Sequence, residues 1–224
     1  MIASDQPTLF PPNVAVALSS VSDGSMKDGT ELLTTDAVRN RDAFLRDNGM
    51  NPRETAVFYA DFNGQDFCHY GIASPGLMPG YDAVATNQTG KPILLSLADC
   101  VGTVLYDPRH EAVMVAHLGR HSTEQMGGTK VVEYMVGTYG TIPAELLVWL
   151  GPSPNGTDYP LYAFDNRSFT EVLCQQLRDA GVQQEHIEIS SVDTSTNLQY
   201  FSHSQYLKGA QDTDGRYAVA VQLL

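Results

Sequence analysis

The chain has 224 residues and a formal net charge of -13, from 26 acidic and 13 basic side chains. This acidic excess repels nucleic-acid backbones and anionic membrane surfaces, so we expect neither as a partner. A small nucleoside or phosphate is not excluded, because local dipoles and one or two cations can bind a small anion. The length suits one domain over residues 1–224 with a sizeable core.

The three cysteines, Cys68, Cys100 and Cys174, do not form the pattern of a disulfide framework. The N-terminus lacks a basic segment followed by an apolar run, and no apolar run approaches the length of a membrane span. We therefore expect a protein of a reducing compartment, most simply the cytoplasm.

Strands and one helix alternate in the first part of the chain. In order, the residue pattern predicts a strand over 13–18, a loop to residue 29, a helix over 36–48, a strand over 55–59 and a Gly/Pro-rich loop over 73–81. Thr34 or Thr35 is the expected N-cap of the helix, and Gly49 is its expected end.

The second part continues this alternation. We predict strands over 92–97, 101–106, 112–117, 146–150, 187–192 and 217–224, a Gly/Pro loop over 151–156, and a helix that begins at residue 169 and ends at Gly181. Ser122 and Gln125 have the spacing of a capping box, which predicts another helix from there to about residue 139. The expected fold class is α/β, of the α+β type, with mixed and largely antiparallel sheets flanked by helices.

A cysteine and a histidine flank the predicted hairpin of the middle strands. Asp107-Pro108 is a turn signal, and a loop over residues 107–110 places Cys100 directly opposite His117. Directly opposed Cβ atoms lie about 4.5–5.5 Å apart. A thiolate and an imidazole so placed are two ligands for zinc. The alternative is a buried structural cysteine beside an ordinary strand-end histidine.

Six short motifs follow one another in a fixed order. They are the segment 40–45 with Gly49, the segment 82–90, Ala98-Asp99-Cys100, His117-Leu118-Gly119, the segment 150–153, and Asn197 with Phe201-Ser202. In this order the chain resembles the laccase-domain family, once called multicopper polyphenol oxidases and now associated with zinc-dependent purine nucleoside chemistry.

The resemblance implies a zinc site, but the chain departs from the family pattern there. Cys100 and His117 match two of the family's ligands, whereas Asn63 stands at the position of the third, a histidine. An amide oxygen is a weaker zinc ligand than imidazole. His203, His121 and His69 are the possible substitutes, and we take His203 as the third ligand; a solvated loop histidine is the alternative for each.

Other family positions are also changed. The family's Trp-Arg-Gly is replaced by Arg120-His121-Ser122, and Thr196 stands where a cysteine precedes the C-terminal Asn197. The resemblance assigns catalytic roles to Asp99, Arg120 and His121, and it assigns substrate contacts to Asn63, Ser153 and Asn197.

The function implied is that of a divergent zinc-dependent purine nucleoside enzyme. The reaction expected is phosphorolysis of adenosine or inosine, deamination of adenosine, or both, with the nucleoside and phosphate as partners. The alternative is a degenerate, non-catalytic member that binds a nucleoside or a protein partner. Copper oxidation is disfavoured, because six scattered histidines do not form the paired motifs it requires.

Overall fold

The computed structural model describes residues 5–27, 34–60, 64–154 and 158–224. These residues form five α-helices and eleven strands. The helices are α1 (Thr35–Asp47), α2 (Arg120–Glu124), α3 (Gly127–Tyr139), α4 (Phe169–Asp179) and α5 (His203–Leu207). The strands are β1 (Val14–Leu18), β2 (Ala56–Tyr59), β3 (Tyr70–Ile72), β4 (Gly76–Pro79), β5 (Ala83–Thr86), β6 (Ile93–Leu97), β7 (Val101–Asp107), β8 (Ala112–Leu118), β9 (Leu147–Leu150), β10 (Ile187–Ile189) and β11 (Tyr217–Leu223).

The strands form two mixed sheets. Within the described residues the first sheet has the order β1-β11-β6-β2-β4, and the second has the order β10-β9-β7-β8-β5-β3. Antiparallel pairs join β1, β11 and β6 in the first sheet, and β9, β7, β8 and β5 in the second. The remaining pairs are parallel. The predicted class, with mixed and largely antiparallel sheets flanked by helices, is confirmed.

The two sheets pack face to face, and each has helices on its outer face. Val113 and Val115 of β8 face the first sheet, whereas Met114 and Ala116 face α3 and α4. This alternation follows from the two-residue period of a strand, which sends successive side chains to opposite faces. His117 is next in the inward series, so its imidazole lies between the sheets.

Helix α1 covers the outer face of the first sheet. The Thr34 hydroxyl accepts a hydrogen bond from the Ala37 amide, as expected of an N-cap. Phe44 and Leu45 pack in the same apolar cluster as Leu94 of β6. Asp47 ends the helix, and Gly49 follows with φ 71°, a left-handed conformation that favours glycine.

The predicted loop over 73–81 is wrong in part, because it contains the strand β4. Strand β4 pairs in parallel with β2 at the edge of the first sheet. Pro79 is its last residue, and an edge strand tolerates the missing amide hydrogen of proline. The high content of glycine and proline therefore marks an edge strand here, rather than a loop.

The capping box predicted at Ser122 is also wrong. Helix α2 begins at Arg120, and Met126, at φ 65°, separates it from α3. The Ser122 hydroxyl donates to the carbonyls of His117 and Gly119, at 3.3 and 3.0 Å. The Gln125 side chain accepts from the Phe67 amide at 3.0 Å, so it does not reach back to Ser122.

The hairpin between β7 and β8 differs from the predicted register. Asp107 lies in β7 and pairs with Ala112, so the turn is made by residues 108–111. The carboxylate of Asp107 accepts hydrogen bonds from the amides of Arg109 and His110, at 2.8 and 3.2 Å, which shapes the longer turn. His117 is consequently opposite Gly102, and the prediction that Cys100 lies directly opposite His117 is wrong.

Within the described ranges, no helix is both long and apolar enough to cross a membrane.

We expect Asp107→Ala to lower the free energy of unfolding by about 2 kcal/mol at pH 7, because the buried Thr141 hydroxyl and three further donors lose their acceptor. Thr141 Oγ1 and His110 Nδ1 also donate to this carboxylate, at 2.6 and 2.8 Å. Urea denaturation measures the loss, and the exposed Asp212→Ala is the control.

The difference in stability between the wild type and Asp107→Ala should depend on pH. Burial alone would raise the pKa of Asp107, but hydrogen bonds from Thr141 and His110 outweigh it and hold the pKa below its usual value. A carboxyl group whose pKa is lower in the folded state than in the unfolded state stabilises the folded protein at pH values above the unfolded pKa, which is about 3.9 for aspartate. This stabilisation is lost as the pH falls through the folded pKa. The difference between wild type and Asp107→Ala should therefore shrink in acid; a constant difference would contradict the assignment.

Candidate functional site

A cavity of about 490 Å³ opens at the end of the two sheets where β6 and β8 terminate. Its wall is formed by residues from the ends of β2, β6 and β8, from the connection between β6 and β7, and from α2 and α5. Six of the predicted site residues line it: Asp99, Cys100, His117, Arg120, His121 and His203. A volume of this size suits a small organic ligand.

Cys100 and His117 meet at Gly119. A Cβ on Gly119 would lie 2.8 Å from the sulfur of Cys100 and 3.1 Å from Cε1 of His117. The cysteine and the histidine are therefore neighbours, although they are not a directly opposed pair in the sheet. The glycine leaves the space that both side chains need.

Both groups are electrically neutral at pH 7. Burial, together with the Asp99 carboxylate, raises the pKa of the Cys100 thiol to about 12, although Arg216 and Arg120 partly oppose this shift. Burial, together with the Lys27 ammonium, lowers the pKa of His117 to about 4. An imidazole in the neutral form can act as a metal ligand or as a hydrogen-bonding group.

Asp99 occupies a strained backbone conformation at the point where the chain passes from β6 in one sheet to β7 in the other. Its φ is 69°, uncommon for a residue other than glycine, and it is only 4% exposed. Its carboxylate accepts hydrogen bonds from Thr194 Oγ1 at 3.1 Å and from the Ser204 amide at 2.7 Å. Asp99 thus fixes the beginning of α5 against the cavity.

His203 is held by a carboxylate. Its Nδ1 lies 2.8 Å from Oδ1 of Asp214, and the same oxygen accepts a hydrogen bond from Nη1 of Arg216 at 2.6 Å. All three residues line the cavity. Because Asp214 engages Nδ1, Nε2 is the ring nitrogen left for a ligand.

The donors present do not fit a three-ligand catalytic zinc. Nowhere in the described part of the chain do three or more His, Cys, Asp or Glu residues form a group that could hold a metal ion. His203 therefore does not complete the pair of Cys100 and His117. Catalytic zinc is typically held by three protein ligands, and this pair supplies two.

The other two substitute histidines are engaged elsewhere. His121 lines the cavity, where its ring stacks on Phe67 with centroids 4.6 Å apart. His69 is not on the cavity wall; it stacks on Tyr81, and its Nδ1 lies 2.8 Å from the Gly80 carbonyl oxygen.

The predicted substrate contacts are not brought to the cavity. Asn63 lies outside the described residues. Ser153 and Asn197 are described but do not line the cavity. The Ser153 carbonyl instead accepts from the amide of Thr194, whose hydroxyl binds Asp99, and Asn197 Oδ1 accepts from the Gln199 amide.

Cationic and aromatic side chains that the sequence analysis did not single out also line the cavity. The cations are Lys27 and Arg216, and the aromatic residues are Tyr59, Phe67 and Tyr159. Lys27 lies over the ring of Tyr59, with its Nζ 5.1 Å from the centroid. Lys27 and Arg216 could have been noticed in the sequence, because only 13 side chains in this acidic chain are basic. The distance between these residues along the chain does not show that they lie near Cys100 in the fold.

With Arg120, three cations and three aromatic rings therefore surround one cavity. Cations attract an anionic ligand, and aromatic faces provide a surface for a flat ring. The lining thus combines cationic groups and flat ring surfaces with three carboxylates, Asp82, Asp99 and Asp214.

Sequence comparison identifies the family. The profile described as "Multi-copper polyphenol oxidoreductase laccase" matches residues 33–172, and the chain belongs to this family. Purine nucleoside phosphorylase LACC1 of Homo sapiens is 33% identical over 102 residues, which cover 45% of this chain and 24% of that protein. A purine nucleoside phosphorylase of Bacteroides thetaiotaomicron is 30% identical over 77 residues, which cover 34% of this chain and 28% of that protein. The match spans about a quarter of each relative's length.

Solved structures share the fold over almost the whole chain. YlmD from Geobacillus stearothermophilus superposes with a TM-score of 0.82 at 20% identity, covering 97% of this chain and 94% of that chain. YfiH of Bacillus licheniformis superposes with a TM-score of 0.79 at 19% identity, covering 94% and 93%. At these identities the likeness concerns the fold.

We expect Gly119→Ala to lower the free energy of unfolding by about 1–3 kcal/mol, because the added methyl group requires the sulfur of Cys100 to move. The backbone at Gly119, with φ -88° and ψ -177°, is open to alanine, so the cost is steric. The measurement is chemical denaturation.

Gly137→Ala is the matched control, because Gly137 lies in α3 with nothing within 4 Å of an added Cβ. Helix propensity predicts that this change stabilises the protein by up to about 1 kcal/mol. Equal effects of the two substitutions would show that the space beside Cys100 is not filled as described.

Proposed function

We propose that the protein is a purine nucleoside enzyme that cleaves the glycosidic bond by phosphorolysis. The observation that carries the proposal is the convergence of Lys27, Arg120 and Arg216 with aromatic side chains in one cavity of an otherwise acidic chain. The names of the two purine nucleoside phosphorylases to which it is similar support the choice of substrate.

Phosphate is assigned to the cationic part of the cavity. Arg120 begins α2 and is exposed, so its guanidinium can reach a bound anion. A guanidinium presents paired donors that match phosphate oxygens. Lys27 and Arg216 add positive charge from neighbouring segments, because the Met26 amide donates to the Arg216 carbonyl at 2.8 Å. Together they place an anionic nucleophile near the nucleoside.

The nucleoside is assigned to the aromatic part. Tyr159 and Phe67 line the same cavity as Arg120 and provide apolar ring surface for a purine. In the reaction, a phosphate oxygen forms a bond to C1′ of the sugar. The bond between C1′ and N9 breaks, and its electron pair stays with the purine. Fixing both reactants in one cavity supplies much of the rate enhancement through proximity.

The experiment supplies inosine, adenosine and guanosine, with and without phosphate, and measures free base and ribose 1-phosphate by chromatography. We expect base release that requires phosphate. Arg120→Gln should raise the KM for phosphate about tenfold, the equivalent of one lost charge-assisted hydrogen bond. Arg109→Gln, on the exposed turn between β7 and β8, is the matched control and should leave the KM unchanged.

The other outcomes are distinct. Conversion of adenosine to inosine without phosphate would replace phosphorolysis by deamination. Saturable binding of a nucleoside with no product would favour the non-catalytic alternative, and the absence of both binding and turnover would overturn the proposal.

A second proposal concerns zinc at Cys100 and His117. Two protein ligands hold zinc less tightly than three, so we expect weak and exchangeable binding. Titration against a chromophoric chelator should show at least a tenfold loss of affinity in Cys100→Ser, because a hydroxyl is a much poorer zinc ligand than a thiolate. Cys174→Ser, buried in α4, is the control. A Cys100→Ser protein that holds as much zinc as the wild type would contradict the assignment.

A further inference from the structure

His203 combines two features of a proton-transferring group. Its Nδ1 is bound to a carboxylate, and the ring lies on the wall of the cavity. A carboxylate at Nδ1 fixes the orientation and the tautomer of an imidazole. The Asp214 carboxylate is itself fixed by Arg216, through the hydrogen bond of 2.6 Å.

The backbone of α5 sets the position of this ring. The Ser202 hydroxyl accepts from the Gln205 amide at 3.2 Å and caps the helix, while the Ser204 amide is bound to the buried Asp99. His203 lies between these two anchors. Its side chain is 45% exposed, so a ligand can reach it.

The other five histidines differ from His203 in position, in burial or in the distance to a carboxylate. All six lie in the described ranges, and His69 and His186 do not line the cavity. His110 has an equivalent bond of 2.8 Å to Asp107 but lies in the turn between β7 and β8, away from the cavity. His121 lies on the cavity wall, but its nearest carboxylate contact, to Glu124, is 3.8 Å long. His117 is buried and neutral at pH 7.

Charged and aromatic groups from three segments lie near His203. Asp214 and Arg216 precede β11, Tyr206 stacks beside the ring within α5, and Asp99, in the connection from β6 to β7, binds the amide of the next residue, Ser204. Asp214 contacts the His203 ring and is itself bound to Arg216.

We propose that His203 is the general acid of the reaction and donates the proton from Nε2 to N7 of the departing purine. This inference rests on the proposed phosphorolysis. As the bond between C1′ and N9 breaks, its electron pair delocalises over the purine, and the proton from Nε2 gives the neutral base. The attacking hydrogen phosphate becomes ribose 1-phosphate and releases its own proton, which returns His203 to the protonated form. Asp214 is a positioning residue, because it acts through His203.

The test compares two substrates. Inosine requires a proton on its leaving group, whereas 7-methylinosine is already cationic and leaves as a neutral base without one. We expect His203→Gln to reduce kcat about 100-fold on inosine, in the range of general acid catalysis, and less than fivefold on 7-methylinosine. Asp214→Asn should show the same selectivity with a smaller loss.

His110→Gln is the matched control, because it removes a histidine bound to a carboxylate outside the cavity. It should leave the ratio of the two activities unchanged. Thermal unfolding of each variant confirms that the protein is folded, and the substrate ratio, measured on the folded fraction, does not depend on the amount of protein lost.

Two results would overturn the inference in different ways. Equal losses on inosine and 7-methylinosine, in a wild-type background active on both, would show that His203 is structural and would leave phosphorolysis intact. A wild-type protein that turns over neither substrate would overturn the proposed function, and the role of His203 with it.

Discussion

The connection from β6 to β7 is the constraint on which the site depends. Here the chain leaves one sheet and enters the other within three residues, and Asp99 adopts φ 69° to make this change of direction. The cost of such a conformation is about 1–3 kcal/mol, and surrounding contacts must hold it. The carboxylate of Asp99 provides them, because it binds the Thr194 hydroxyl and the Ser204 amide. One strained residue therefore presents Cys100 to the cavity and fastens α5 beside it.

Space around these groups is created by glycine. Gly102 lies opposite His117, and a Cβ there would meet Val219 of the other sheet at 2.9 Å. Gly119 leaves room for the sulfur of Cys100 and the ring of His117. The two sheets can approach closely and still hold the side chains of Cys100 and His117 between their ends. This arrangement requires that Gly102 and Gly119 carry no side chain. This is a packing requirement, independent of any metal.

Charge distribution gives the cavity its chemical character. The chain as a whole is strongly acidic, yet Lys27, Arg120 and Arg216 face one cavity. The carboxylates in the lining accept hydrogen bonds from other groups: Asp82 from the His69 amide, Asp99 from a hydroxyl and an amide, and Asp214 from Arg216 and His203. Three carboxylates, Asp82, Asp99 and Asp214, line the same cavity, so its cations act as local donors to a small anion rather than as a net positive field. The proposed use of phosphate follows from these local donors.

The sequence by itself determined eight of the eleven described strands, α1 with its Thr34 cap, and the family; β3, β4 and β5 were not predicted. These features depend on local periodicity and on short motifs, which the chain carries whatever its tertiary structure. It also placed Asp99, Cys100, His117, Arg120, His121 and His203 in one site, because the motifs that contain them belong to one family pattern.

Only the tertiary structure decided how these residues combine. The register of β7 and β8 depends on the turn, in which the amides of Arg109 and His110 donate to Asp107. With this turn, His117 lies opposite Gly102. The partner of His203 is Asp214, eleven residues away across a loop, and the contact of Asp99 with Ser204 spans 105 residues. Such contacts depend on tertiary packing, and they cannot be predicted from the spacing of the residues along the chain. For this reason the sequence suggested His203 as a metal ligand, whereas the structure shows its ring bound to a carboxylate.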